Sequence, residues 1–175
     1  TDPVWEQLST AIAALPCLTI AALNGTLAGG AMGMALACDL RLAVPGAKVF
    51  YPVMKLGFLP QPSDPARLVA LVGPARAKMI LMGGAKVSTE DAASWGLLDR
   101  IVEDDLLVEV GLLAADALAA TTTHVAAIKR MIDASPQVRE RMSPRRQDDN
   151  TYDKVFRSGM VLAFGWPSGA QHAVA

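Results

Sequence analysis

The sequence predicts an α/β fold in which apolar strands alternate with amphipathic helices. The first observation is "CLTIAAL" (residues 17–23), an uncharged run of strand length that the turn pair Asn24-Gly25 closes. Second, Gly29 and Gly30 open "AMGMALACD", whose small residues suit a helix in close contact with a sheet. Third, "LRLAV" (residues 40–44) follows as another strand. A strand without any charge indicates burial on both faces, as in a parallel sheet.

Caps and chain breakers predict the elements on either side. Asp2 and Pro3 form a helix start, with Asp2 as the N-cap and proline at the first helical position. Apolar residues at helical spacing follow from Trp5 to Leu15, and Pro16 ends this helix. After residue 46, "KVFY" (48–51) is predicted as a short strand.

The next stretch begins with the proline-rich loop "LPQPSDP" (59–65). Two short helices follow, "ARLVALV" and "ARAKMILMG", and meet at Gly73-Pro74. Ser88 is predicted to cap a helix that Gly96 ends. "LLDRIV" (97–102) is predicted as a strand, and residues 104–120 and 124–134 as amphipathic helices.

Composition indicates one compact domain without a strong electrostatic field. The 175 residues include 16 lysines and arginines against 17 aspartates and glutamates. This balance argues against binding to nucleic acid or to an anionic membrane, and favours a small ligand or a protein partner. Cys17 and Cys38 lie in apolar surroundings, without metal-ligand spacing. We interpret them as reduced thiols of a cytoplasmic protein.

The uncharged stretch between Glu6 and Asp39 is too interrupted for a membrane span, which needs about 20 apolar residues. The chain begins with Thr1 and shows no secretory pattern. We therefore expect a fragment or a processed product. The breakers in this stretch are Pro16, Asn24, Gly25, Gly29 and Gly30.

The glycine pair is the sharpest candidate for a functional site. Gly29 and Gly30 follow a strand and precede a helix, so their amides can point at an anion, as in an oxyanion hole. The competing interpretation is that two glycines only let a helix approach a strand. Neither the G-x-G-x-x-G fingerprint nor a P-loop lysine is present.

Few titratable residues stand out. Asp64 lies in the proline-rich loop beside Ser63 and Gln61, where an acid is either a turn-former or functional. His124 and His172 are interpreted as solvated. Other charges are also interpreted as solvated, with phosphate or nucleic-acid binding as the alternative: Lys129, Arg130, Arg139, Arg141, Arg145 and Arg146.

The order of these pieces resembles the crotonase superfamily, also called the enoyl-CoA hydratase/isomerase family. The matching text is "LPCLTIAALNGTLAGGAMGMALACDLRLA", "AKVFYPVMKLGFLP" and "ARLVALVGPARAKMILMGGAKVSTEDAASWGLLDRIV". It covers about residues 15–102, and the helices up to residue 134 fit more loosely.

The resemblance implies a stacked ββα spiral core over residues 1–103 and a C-terminal helical oligomerisation region over 104–175. It also implies a homotrimer or hexamer, and an acyl-CoA substrate of the kind handled in fatty acid metabolism. Coenzyme A enters as part of that substrate, with no separate cofactor and no metal. Gly30 resembles the second of two backbone N–H donors to a thioester oxyanion. The resemblance implies substrate-binding positions at Leu27, Gly29, Gly33, Pro52, Val53 and Gln61.

Two departures from the family pattern matter. The earlier half of the family pattern, with the other oxyanion donor, is missing from these 175 residues. The two glutamates of the hydratases are also absent, because Gly33 and Val53 stand at their positions. Gln61 stands where some isomerases carry an acid. Since hydration needs one group to take a proton and one to give it, a true hydratase is not expected.

Three hypotheses remain. The chain is a lyase or isomerase of the family, such as an isomerase, a decarboxylase or a C–C hydrolase, that uses another proton donor. Asp64 is the candidate acid/base, and Tyr51 and Ser63 are candidate donors. Alternatively, it is a catalytically silent acyl-CoA binder, or a structural subunit.

Overall fold

The computed structural model describes residues 3–135 and 160–164. The helices of this part are α1 (Pro3–Ala13), α2 (Ala31–Ala37), α3 (Val53–Leu56), α4 (Asp64–Leu81), α5 (Thr89–Ser94), α6 (Leu106–Ala119) and α7 (Thr122–Asp133). Its strands are β1 (Thr19–Leu23), β2 (Leu27–Ala28), β3 (Leu40–Ala43), β4 (Lys48–Phe50), β5 (Val87–Ser88), β6 (Arg100–Ile101) and β7 (Met160–Phe164). The predicted alternation of strands and helices is confirmed. The predicted cap at Asp2 lies outside the described residues.

Two small sheets organise the chain. The four-stranded sheet has the order β6-β3-β1-β7, and all its strands are parallel. In the second sheet, of order β2-β4-β5, β4 runs parallel to β2 and antiparallel to β5. β7 was not predicted, although "MVLAF" (160–164) is an uncharged run of strand length between Gly159 and Gly165.

β1 lies at the centre of the fold and is buried along its whole length. Ala21 and Leu23 belong to a cluster with α2 and α4, while Ile20 and Ala22 belong to a second cluster with α6. Successive side chains of a strand point to opposite faces. The uncharged sequence of β1 therefore follows from burial on both sides of the sheet, as predicted.

The helix breaks and caps agree with the sequence. α4 is interrupted at Gly73, whose φ of 79° is left-handed, just before Pro74. The two helices predicted around this pair are confirmed. Ser88 Oγ accepts a hydrogen bond from the Asp91 amide at 3.1 Å and so caps α5. The strand predicted over 97–102 is shorter, since only β6 is paired.

α7 is fastened to the sheet by a lysine. Lys129 Nζ donates to Asp39 Oδ2 at 2.8 Å and to the Cys17 carbonyl at 2.9 Å. The interpretation of Lys129 as solvated was wrong, because a carboxylate and a carbonyl replace water around its ammonium group. Arg130 is exposed, as expected.

No single helix in the described part is long and apolar enough to cross a membrane. α6 and α7 reach the required length and hydropathy only when taken together, and the chain bends by 106° between them.

Candidate active site

The site begins at the carboxyl ends of two parallel strands. β2 and β4 pair in parallel, with Leu27 beside Val49. Gly29 and Gly30 follow β2, and Tyr51 follows β4. Because paired parallel strands end at the same edge of a sheet, the glycine pair and the tyrosine segment emerge side by side.

Backbone conformation explains the first glycine. Gly29 has a φ of +62°, which L-residues with side chains rarely adopt, and its carbonyl accepts from the Met32 amide at 3.0 Å. Gly30 is the N-cap of α2. The first amides of a helix have no acceptor within the helix. The turn therefore presents backbone N–H groups rather than a charged side chain.

An indole ring covers the second glycine. A Cβ atom added at Gly30 would lie 3.4 Å from Trp5 Cε2 and close to two further ring atoms. Trp5 remains 39% exposed. The sequence placed Trp5 only on the apolar stripe of α1, since helical spacing does not reveal which glycine a distant ring contacts.

A carboxyl group fills the space beside the third glycine. A Cβ atom added at Gly33 would lie 2.8 Å from Asp64 Oδ1. Asp64 begins α4, and its side chain is 0% exposed. By the resemblance, Gly33 stands where the hydratases carry their first glutamate. The structure thus brings a carboxyl group to this region from another part of the chain.

Asp64 has fewer hydrogen bonds than its oxygens can accept. Its Oδ2 accepts from Tyr51 OH at 2.9 Å, whereas Oδ1 is buried without a hydrogen-bond partner. Burial raises the pKa of the Asp64 carboxyl, against the opposing effects of the Tyr51 hydrogen bond and the Arg67 charge. Since Oδ2 already accepts from Tyr51, Oδ1 is the oxygen that carries the proton when the carboxyl is protonated. Burial and the neighbouring carboxyl also raise the pKa of Tyr51.

The proline-rich loop supplies the remaining neighbours. The Gln61 amide donates to Tyr51 OH at 3.4 Å, and the Gln61 carbonyl accepts from the Asp64 amide at 3.0 Å. Gln61 Oε1 is also buried without a partner. Ser63 is held by α1, because its amide and hydroxyl both donate to the Glu6 carboxylate.

The other predicted positions are structural or distant. Leu27 and Val53 are buried in the core, and Pro52 is the N-cap of α3. His124 is exposed at the start of α7. The predicted positions outside the described residues are His172, Arg139, Arg141, Arg145 and Arg146.

Cys38 is a poor candidate for a nucleophile. Both cysteines are free, and burial raises the pKa of the Cys38 thiol to about 11. In the part of the chain that the structure describes, no group of three or more metal-binding side chains comes together.

Sequence comparison places these features among known proteins. A family model described as Enoyl-CoA hydratase/isomerase matches residues 2–161. The chain is 40% identical over 92 residues to the short-chain-enoyl-CoA hydratase of Clostridioides difficile, covering 53% of this chain and 59% of that protein. It is 32% identical over 120 residues to the carnitinyl-CoA dehydratase of Salmonella typhi, covering 68% of this chain and 46% of that protein. The chain thus spans about half the length of these relatives.

Solved structures show the same fold. An enoyl-CoA hydratase/isomerase family protein from Hyphomonas neptunium superposes with a TM-score of 0.66 at 36% identity, over 78% of this chain and 55% of that one. An enoyl-CoA hydratase from Thermobifida fusca, solved in complex with CoA, superposes with a TM-score of 0.67 at 28% identity, over 76% of this chain and 54% of that one. The predicted crotonase-like α/β fold is confirmed, and the chain belongs to the enoyl-CoA hydratase/isomerase family.

Proposed function

We propose that the chain acts at the α-carbon of an acyl-CoA thioester, with Asp64 as the acid that exchanges the proton. The observation that carries the proposal is Asp64 Oδ1, a buried carboxyl oxygen without a hydrogen-bond partner that lies against Gly33. The Gly30 N–H group would stabilise the enolate oxyanion, as the resemblance implies. Removing one such donor from an enzyme costs about 10²–10³ in kcat.

Because burial favours the protonated form of Asp64, the site suits reactions that create the enolate without a base. In a 2-carboxyacyl thioester, the C–C bond to the carboxylate breaks and carbon dioxide leaves. The electron pair of the broken C–C bond moves onto the thioester oxygen, next to the Gly30 N–H group. Asp64 then gives its proton to the α-carbon, the carbonyl reforms, and Asp64 recovers a proton from water. We therefore place decarboxylation first among the three lyase and isomerase reactions.

Hydration is not part of the proposal. Adding water needs one group to take a proton and another to deliver one. Of the two positions that would carry glutamates, Gly33 has no side chain and Val53 is apolar and buried. Asp64 offers one carboxyl group in place of two. The names of the relatives, a hydratase and a dehydratase, therefore support an acyl-CoA substrate for this chain more than they support a hydration reaction.

A silent acyl-CoA binder is the second candidate, and enclosure of the site favours it. Asp64, Tyr51 and Gln61 are all buried, so a substrate reaches them only if neighbouring residues move. In both candidates the division at residues 103 and 104 and the homotrimer or hexamer stay predictions.

Mass spectrometry of thioesters incubated with the 175-residue chain tests both candidates. The probes are 2-methylmalonyl-CoA, which can lose carbon dioxide, and butyryl-CoA in heavy water, which gains deuterium if an enolate forms. Asp64→Asn is the test variant, and Glu90→Gln, at an exposed position of α5, is the matched control. Conversion that Asp64→Asn alone abolishes supports the enzyme. Binding without conversion or exchange supports the silent binder, and no binding at all contradicts both.

A further inference from the structure

A long groove lies beside α4, and Asp64 is not among the residues that line it. It has a volume of about 1390 Å³ and runs between α2 and α4 on one side and the ends of α6 and α7 on the other. Its walls are mainly aliphatic, with Leu36, Leu71 and Ile128 among them. Pockets for small ligands are usually about 300–1,000 Å³, so this groove has room for an extended chain.

Two buried arginines line the groove and differ in their hydrogen bonding. Arg41 uses four of its five N–H donors, because its guanidinium donates to the carbonyls of Leu97, Cys38 and Asp39 and to the carboxylate of Asp99, at 2.7 to 3.4 Å. One Nη1 donor of Arg41 is left, and its charge is already paired with Asp99.

Arg67 is 8% exposed, yet its guanidinium makes one hydrogen bond, from Nη1 to Ser9 Oγ at 2.9 Å. Its other nitrogen atoms, Nε and Nη2, donate to no described residue, and neither is fully enclosed. A guanidinium has five N–H donors. Most donors of Arg67 are therefore unused at the wall of the groove.

The charge of Arg67 is not neutralised by contact. Among residues 3–135 and 160–164, no carboxylate lies within ion-pair distance of it, although Glu6 and Asp64 act on it from further away. Buried charges in proteins are usually paired. A cation that is buried, unpaired and open on one side points to an anion that arrives from outside.

We propose that the groove binds an aliphatic carboxylate, a molecule of the fatty-acid type, with its carboxylate on Arg67 and its chain along the aliphatic walls. Guanidinium binds carboxylate through two parallel hydrogen bonds, which the free Nε and Nη2 donors permit. The aliphatic walls select a long apolar chain over a small inorganic anion. This site is separate from the thioester site, whose residues do not line the groove.

Calorimetric titration of the 175-residue chain with decanoate, decanol and acetate tests the proposal. Decanol has the same chain without the charge, and acetate has the charge without the chain. Decanoate is expected to bind about tenfold or more tightly than either. Arg67→Gln is expected to remove this preference while leaving decanol binding unchanged. Lys78→Gln, at an exposed residue of α4 that does not line the groove, is the matched control and is expected to change decanoate affinity less than about twofold.

Several results would overturn the proposal: no decanoate binding by the unmodified chain, equal binding of decanoate and decanol, or undiminished binding by folded Arg67→Gln. If Arg67→Gln does not fold, Arg67→Lys keeps the charge without the planar pair of donors. It is expected to weaken decanoate by a smaller factor, and unchanged affinity would count against the site. Decanoate and decanol are compared on the unmodified chain, so this part of the test does not depend on whether either Arg67 variant folds.

Discussion

Two carboxyl groups of this protein, the partly exposed Asp39 and the buried Asp64, have opposite surroundings. Asp39 Oδ2 accepts three hydrogen bonds, from the Thr19 amide at 2.8 Å, the Thr19 hydroxyl at 2.9 Å and Lys129 Nζ at 2.8 Å. Asp64 accepts one side-chain bond, from Tyr51, and leaves Oδ1 without a partner. A satisfied carboxylate fixes neighbouring segments in place, whereas an unsatisfied acid keeps a proton available. The contrast separates structural from candidate catalytic residues.

The largest expected effect tests the catalytic side of this contrast. Asp64→Asn keeps the size of the side chain and an acceptor for Tyr51, but it holds no transferable proton. We expect thioester turnover to fall by about 10²–10⁴-fold. Kinetics by mass spectrometry, with a melting curve of the same sample, measure this. Full activity in the folded variant would remove Asp64 from the mechanism.

The structural side is tested at Asp39. Asp39→Ala removes the acceptor of three hydrogen bonds and leaves their donors with water alone. We expect the free energy of unfolding to fall by about 2–4 kcal/mol, measured by denaturant titration. Lys129→Met removes one of the three bonds and is expected to cost less. If both variants lowered the free energy of unfolding equally, the contacts of Asp39 with Thr19 of β1 and with Lys129 of α7 would not be independent.

The contact between Gly33 and Asp64 is tested by adding one carbon. Gly33→Ala places a Cβ atom 2.8 Å from Asp64 Oδ1, so the carboxyl must move and strain its bond to Tyr51. Overpacking of this kind costs about 1–3 kcal/mol. In a chain that already carries Asp64→Ala, the same substitution is expected to be nearly neutral. Equal costs in both backgrounds would show that the clash is absent.

The pH dependence of stability gives a smaller effect with a definite sign. Burial raises the pKa of Asp64 in the folded chain, so the folded chain keeps a proton that the unfolded chain loses above its ordinary value of 3.8. The free energy of unfolding therefore falls as the pH rises from there through the folded-state pKa. Asp64→Asn is expected to lack this decline. If denaturant unfolding showed that the free energy of unfolding changes with pH in the same way in the unmodified chain and in Asp64→Asn, the raised pKa would be contradicted.

The smallest expected effect concerns the thiols. Because burial raises the pKa of Cys38 to about 11, we expect it to be alkylated more slowly than the half-buried Cys17 at neutral pH. Peptide mapping after timed iodoacetamide treatment measures both in one sample. Faster modification of Cys38 would show that it is accessible.

The sequence predicted the features that depend only on the conformational preferences of adjacent residues. The glycine pair, the break at Gly73-Pro74 and the cap at Ser88 each follow from the preferences of a few adjacent residues. Asp64 was singled out by its position between prolines. Its contact with Gly33 was not predicted, because it depends on how α4 packs against α2.

Contacts between residues that are distant in the sequence could not be predicted. Arg67 was not singled out in the sequence, since its lack of partners is a property of the folded groove. The binding of Lys129 to Asp39 likewise required the position of α7. Charged residues look solvated in sequence, and only packing shows which of them lose water.

The parallel pairing of β7 with β1 has a consequence for how the protein folds during synthesis. Thr19 pairs with Met160 and Leu23 with Phe164, so the centre of the larger sheet joins segments from distant parts of the chain. Such non-local contacts slow folding, because the chain must close a long loop before they form. Until residue 164 leaves the ribosome, β1 has an open, uncharged edge. We therefore expect the nascent chain to depend on chaperones that bind apolar strands.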